Sequence, residues 1–272
     1  MKPQRCPFLF QQRTGHPRSG VKSNVVASHE LVARDDVRKV VVTHSPKNDI
    51  DMHVIMGINH KEYNPSADHV LSSSICDANA IAHPLKALND AVGVIGGSVT
   101  TLHPWLNYQN LLDAPVASQR DPGHVWKDYS LGRTSVGSLI PKNTTAVEAL
   151  KPVLGDLAER IGSFSYRTPN TVVASADLTL LLDRNLSQAE LEDILNSAFD
   201  GSPFVALNWQ SLISLDYQGQ PWSAVIDMQW VKAIGGGLVK IVAWYDNEWG
   251  YASRALDVAV HSVSANDFEF NR

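Results

Sequence analysis

The sequence predicts an α+β fold: a catalytic domain built on a mainly antiparallel sheet. Two observations point there. From Cys76 onward, strand-like and helical stretches follow one another without the strict alternation of a parallel βαβ chain. The one glycine cluster, Gly235-Gly236-Gly237, lies late and between two strands. No phosphate-cradling G-x-G-x-x-G turn therefore follows a strand, and the chain does not show a complete dinucleotide-binding half.

Residues 1–24 are rich in Gln, Arg, Gly, Pro and Ser, show no periodicity, and read as a disordered or scar segment. Residues 25–33 suit a short helix with Val25, Val26, His29 and Val32 on one face. Residues 38–43, 54–56 and 69–73 read as short strands, and such continuous apolar runs suit a sheet covered on both faces. A helix is expected over 76–92 despite Pro84, then a strand over 94–103. Residues 104–143 read as a long loop carrying Trp105, Tyr108, Trp126 and Tyr129, and a loop of that length in a compact domain tends to be functional. Thr144 and Thr145 precede a helix over 146–159. A strand over 171–182 follows, then a helix from Ser187 to Phe199 whose Glu190 completes a capping box. Short strands around 203–206, 222–230 and 238–244 lead to an amphipathic helix over 247–264.

Bulk properties remove several function classes. A net charge of −5 offers no basic face for nucleic acid. No apolar run reaches the length of a membrane span, and Pro7-Phe8-Leu9-Phe10 is too short for a signal peptide's hydrophobic stretch. Cys6 and Cys76 do not look like a disulfide framework, so a cytoplasmic protein with free thiols is expected. No metal ligands are expected.

Cys76 follows a strand end and opens a helix. There the macrodipole and unpaired N–H groups favour thiolate and can hold an oxyanion, although a buried structural cysteine fits the residues as well. His103, ending a strand before the long loop, is a candidate base or a satisfied core histidine. His124 and His261 look solvated. Arg133 and Arg167 suit a substrate's anionic end or surface ion pairs. Asn247-Glu248 reads as a capping pair.

The run Ala243-Trp244-Tyr245-Asp246-Asn247-Glu248-Trp249-Gly250-Tyr251 resembles the C-terminal signature of the phosphorylating glyceraldehyde-3-phosphate dehydrogenases. Tyr166-Arg167-Thr168-Pro169-Asn170 is similar to that family's F-R-V-P-T segment, and Pro141-Lys142-Asn143-Thr144-Thr145-Ala146 to its P-S-S-T-G-A segment. Thr100-Thr101-Leu102-His103 resembles T-T-V-H, and Met56-Gly57-Ile58-Asn59-His60 resembles M-G-V-N-H. The resemblance implies a nucleophile at Cys76, a base at His103, and substrate-phosphate contacts from Thr144 and Arg167. It implies NAD as cofactor, with Thr43, Asn247 and Tyr251 near it, and a cytoplasmic homo-tetramer of glycolysis. The implied reaction oxidises a (phospho)aldehyde through a Cys76 thioester that inorganic phosphate opens. A non-catalytic or NAD-independent descendant, such as a binding module or thiol esterase, is the alternative.

The resemblance also divides the chain. Residues 25–75 resemble the C-terminal remnant of a Rossmann NAD-binding domain whose earlier part is missing, 76–246 the catalytic domain, and 247–272 a helix returning toward the NAD-binding domain. That helix is expected to lack its partner surface. Ile75, Asp77 and Ala78 depart from the family's S-C-T-T-N, Leu106 replaces a threonine and Leu131 an arginine. Phosphate-binding donors become apolar or acidic, so altered substrate use or weak phosphorolysis is expected, and the carboxylate of Asp77 raises the pKa of a neighbouring thiol.

Overall fold

The computed structural model describes residues 8–11, 22–47, 49–106, 109–115 and 130–264. Cys6, Tyr108, His124, Trp126 and Tyr129 lie outside the described residues, as does most of the 1–24 segment. The chain divides into two compact units: residues up to 75 with those from 252 onward, and residues 76–251.

The first unit holds strand β1 (Phe8–Gln11), helix α1 (Lys22–Val32), β2 (Lys39–Val42), β3 (Met52–His53) and β4 (Val70–Ser72). The strands form one sheet in the order β1-β2-β4-β3, with every pair parallel. All residues of β2 and β4 are buried, as a run without alternation requires. Val40, Val42 and Val70 pack against Leu31 and Val32 of α1 and against Val37 and Ile50. Each fully buried valine contributes about 1.5–3 kcal/mol. Lys39 is buried among them. Burial lowers its pKa despite Asp68 and Asp51, and its ammonium donates to the Pro65 and Asp68 carbonyls at 2.6 Å each.

Three expectations are corrected here. β1 and the first turn of α1 fall within the stretch read as disordered. The edge of a parallel sheet offers backbone partners that composition does not reveal, and β1 pairs with β2. Residues 54–56 are buried but not a strand. Asn59 holds them in a turn, its Oδ1 accepting from the Ile55 amide and its Nδ2 donating to the His53 carbonyl. The last helix does not lack a partner surface, as described below.

The second unit opens with α2 (Cys76–Val92), β5 (Val94–Pro104) and β6 (Ile140–Lys142). Short α3 (Lys151–Leu154) and α4 (Asp156–Glu159) follow, then β7 (Ile161–Thr168), β8 (Ala174–Leu182) and α5 (Gln188–Phe199). Strands β9 (Val205–Asn208), β10 (Ala224–Asp227), β11 (Lys232–Gly235) and β12 (Leu238–Tyr245) lead into α6 (Trp249–Ser264). The sheet runs β6-β7-β5-β8-β12-β10-β9, with β11 beside β12. The β5/β7 and β9/β10 pairs are parallel and the other five are antiparallel, so the sheet is mixed and mainly antiparallel. β12 alternates strictly: Val239, Ile241, Ala243 and Tyr245 are buried and their neighbours half-buried. The cores of α2 and α5, including Ile81, Leu85, Leu88, Leu191 and Leu195, are fully buried.

The expected helix over 146–159 is broken. Gly155, at φ +53, ends α3 and starts α4, a conformation that a residue with a Cβ rarely adopts. From residue 252 onward α6 belongs to the first unit. There Tyr63 Oη donates to the Ser262 carbonyl at 3.1 Å and His261 Nε2 lies 2.8 Å from the His60 carbonyl. Ala255, Val258 and Ala259 are buried, so this helix has a partner surface within the chain and His261 is not solvated as expected. No helix among the described residues is long and apolar enough to cross a membrane.

Candidate active site

The chain enters α2 through Ser74, a non-glycine residue at φ +59. Left-handed conformations of this kind cost of order 1–3 kcal/mol and cluster at functional sites. Two residues later Cys76 begins the helix, with Asp77 in its first turn. A carboxylate there faces the positive end of the macrodipole.

His103 comes from the end of β5. The parallel pairing of β5 with β7 sets His103 opposite Arg167. Thr168 Oγ1 donates to the His103 carbonyl at 2.9 Å, and Arg167 Nη1 donates to the Pro104 carbonyl at 3.1 Å. Tyr245 ends β12, and its side chain faces inward like every second residue of that strand.

These elements bring three groups to one atom. Asp77 Oδ1 accepts from Tyr245 Oη at 2.9 Å and from Cys76 Sγ at 3.4 Å, and His103 Nε2 lies 2.6 Å away. The Asp77 and His103 side chains are only 8% and 10% exposed, so their ion pair is shielded from screening. Burial alone would raise the Asp77 carboxyl. His103's charge, with hydrogen bonds from His103, Tyr245 and Cys76, outweighs it and holds the group well below the usual carboxylate range. The thiol responds in the opposite sense. Cys76 keeps part of its surface exposed, yet burial of its thiol, then the Asp77 charge, pushes its pKa well above 9.0, opposed in part by Arg167. Burial and Asp77 likewise raise the Tyr245 phenol. His103 is thus bound to the carboxylate beside the thiol, and Asp77 Oδ1 links Cys76 Sγ to His103 Nε2.

Arg167 Nε is buried without a hydrogen-bond partner, a charged donor left over for an anion. Arg133, by contrast, pairs with Asp113 at 3.0 Å on the surface, 68% and 58% exposed. Thr144 Oγ1 is engaged locally, accepting from the Ala146 amide at 3.2 Å. Thr43 lies directly beyond β2 in the first unit and is half-buried.

Asn247 is not the cap it seemed. Asp246 caps α6, its Oδ1 accepting from the amides of Glu248 at 2.9 Å and Trp249 at 2.8 Å. Its Oδ2 accepts from Gly219 at 2.8 Å. Asn247 is thereby freed, and its Oδ1 is buried with no hydrogen-bond partner. Tyr251, one turn on, is half-buried. Tyr245 and Asp246 went unread as functional residues, although both stand inside the most specific stretch of the sequence.

Residues 75–247 match the family model for the glyceraldehyde 3-phosphate dehydrogenase C-terminal domain. The cytosolic glyceraldehyde-3-phosphate dehydrogenase of Chlamydomonas reinhardtii is 34% identical over 226 residues, covering 82% of this chain and 63% of that protein. The enzyme of that name from Geobacillus stearothermophilus is 33% identical over 229 residues, 84% and 65%. That from Pseudomonas aeruginosa is 34% identical over 229 residues, 84% and 65%. The chain therefore spans less than two thirds of the length of these curated relatives.

Proposed function

Because the chain belongs to the glyceraldehyde-3-phosphate dehydrogenase family, we propose that it works as an oxidoreductase of that type, oxidising a phosphorylated aldehyde through a thioester on Cys76. The observation that supports this most is the meeting of Cys76 and His103 on Asp77, with Arg167 charged beside them.

In this reading Arg167 Nε takes the anionic end of the substrate and sets its carbonyl carbon against the sulfur. The thiol proton leaves through Asp77 Oδ1 to His103 Nε2 as Sγ attacks, giving a hemithioacetal. The backbone N–H groups at the start of α2 face the developing oxyanion. His103 returns that proton to the oxyanion, completing the hemithioacetal hydroxyl, and takes it back as loss of hydride turns the hemithioacetal into the thioester. Asn247 fits a nicotinamide, because its orphaned Oδ1 accepts the carboxamide N–H that nothing in the protein supplies. Tyr251 stands one turn beyond. Thr43 follows the carboxyl end of a parallel strand, the end at which open α/β sheets take nucleotides, which supports a role for it in cofactor binding. NAD, when bound, supplies the hydride acceptor.

The test is to titrate the protein with NAD and add glyceraldehyde 3-phosphate, following nicotinamide reduction. Cys76→Ser is expected to abolish reduction while leaving NAD binding intact, and Asn247→Ala to weaken NAD binding by up to about tenfold, the loss of one hydrogen bond. No NAD binding and no hydride transfer by the unaltered protein would sink the reading. One observation favours a second reading, a thiol esterase independent of NAD: Cys76, Asp77, His103, Arg167 and Tyr245 all belong to the same unit.

A further inference from the structure

We propose that Asp77 sets the acyl acceptor of this site, admitting water, activating it against the Cys76 thioester, and excluding inorganic phosphate. The proposal rests on the reading that Cys76 carries the acyl group.

Position comes first. Asp77 Oδ1 is 3.4 Å from Sγ, so an acceptor reaching a carbonyl carbon bonded to that sulfur comes within a few ångströms of the carboxylate. Asp77 is buried, where like charges repel strongly and salt screens them little. A phosphate anion is thus opposed at the place where it must attack. The flanking side chains do not offset the repulsion, since Ile75 and Ala78 carry no polar atoms, and the nearby Arg167 is the group that takes the anionic end of the substrate.

Water meets no such barrier. The three contacts of the cluster all engage Oδ1, so Oδ2 is outside them and available to accept from a water. The water oxygen adds to the thioester carbon and its proton goes to Asp77. Tyr245 Oη still donates to Oδ1, so the carboxylate keeps that proton only in passing, and it rests on His103 Nε2, 2.6 Å away. The C–S bond then breaks, and the proton returns through Asp77 to the sulfur. One acyl thioester and one water give one carboxylic acid and one free Cys76 thiol, with no change of oxidation state.

p-Nitrophenyl acetate tests this without NAD or aldehyde, since it acetylates a reactive cysteine and releases a coloured product. The expected result is a burst of one p-nitrophenolate per chain, absent in Cys76→Ser, then a steady rate unaffected by inorganic phosphate. Asp77→Asn, shown to be folded by circular dichroism and acetylated beforehand with excess p-nitrophenyl acetate, is expected to deacetylate about a hundredfold more slowly, the usual worth of a general base. Asp77→Thr is expected to make deacetylation rise with phosphate. A burst followed by phosphate-accelerated turnover in the unaltered protein overturns the proposal while leaving the thioester standing. So does an Asp77→Asn variant that deacetylates at the original rate. No burst at all removes the thioester reading and the proposal with it.

Discussion

His103 and His44 are equally withdrawn from water, at 8% and 5% exposure, yet they live in opposite electrostatic settings. His103, in the second unit, sits 2.6 Å from a carboxylate that three groups share. His44, in the first, keeps a buried Nε2 with no hydrogen-bond partner, and burial lowers its pKa. Its neighbour His53 is lowered to about 4 by burial and by the charge of His44. Burial alone therefore does not mark a histidine as functional. A buried carboxylate gives His103 a hydrogen-bonding partner, whereas burial disfavours the charged form of the pair in the first unit.

The largest expected difference comes from removing that carboxylate. Breaking a buried ion pair costs about 3–5 kcal/mol, and Asp77→Ala should fall within that range. Urea unfolding near pH 7 measures it. A change below 1 kcal/mol would place the pair on the same footing as a surface contact.

Acid separates the two settings by pH window. His53 binds its proton less readily folded than unfolded, so stability from its neutral form is complete above pH 6.5 and lost as the pH falls toward about 4. His44 acts in the same direction. Asp77 is depressed, so its contribution is complete above its ordinary 3.8 and is lost only below that. Amide exchange should show the β2–β4 sheet opening between pH 6 and 4 while β5, β8 and β12 stay protected. Loss of protection in both sheets at one pH would contradict the distinction.

The smallest effect is expected at Arg133. Its ion pair with Asp113 is exposed on both sides, and Arg133→Ala should change stability by less than about 0.5 kcal/mol. A loss above 1 kcal/mol in the same urea experiment would mean that exposure is no guide to these pairs.

What was legible in the sequence follows from which signals are local. The capping box of α5 is written in Ser187 and Glu190, and both halves form, at 3.2 and 2.9 Å. The limits of α2 were readable because its buried face persists through Pro84. β7 was not read, since its pattern is inverted: Ser165 is fully buried while Phe164 is 41% exposed. Thr101 Oγ1, on the neighbouring strand, satisfies the buried serine at 2.9 Å, a pairing no single strand reveals. At the site, Cys76 and His103 could be placed by motif, and Asp77 could be seen to raise the thiol. That Asp77 also binds His103 and Tyr245 depends on three elements meeting, the start of α2 and the ends of β5 and β12. Asn247 looked like a cap because Asp246, one residue earlier, does that work.

The central claim is that one carboxylate joins Cys76 to His103 and holds the thiol protonated at rest. The pH dependence of iodoacetamide labelling at Cys76, resolved by peptide mass mapping in the unaltered protein and in Asp77→Thr, tests it most directly. Labelling of the unaltered protein should be slow at neutral pH and rise only above pH 9, while the variant labels at least about tenfold faster at pH 7, the effect of a one-unit fall in pKa. Fast labelling of Cys76 at neutral pH, identical with and without Asp77, would contradict the claim.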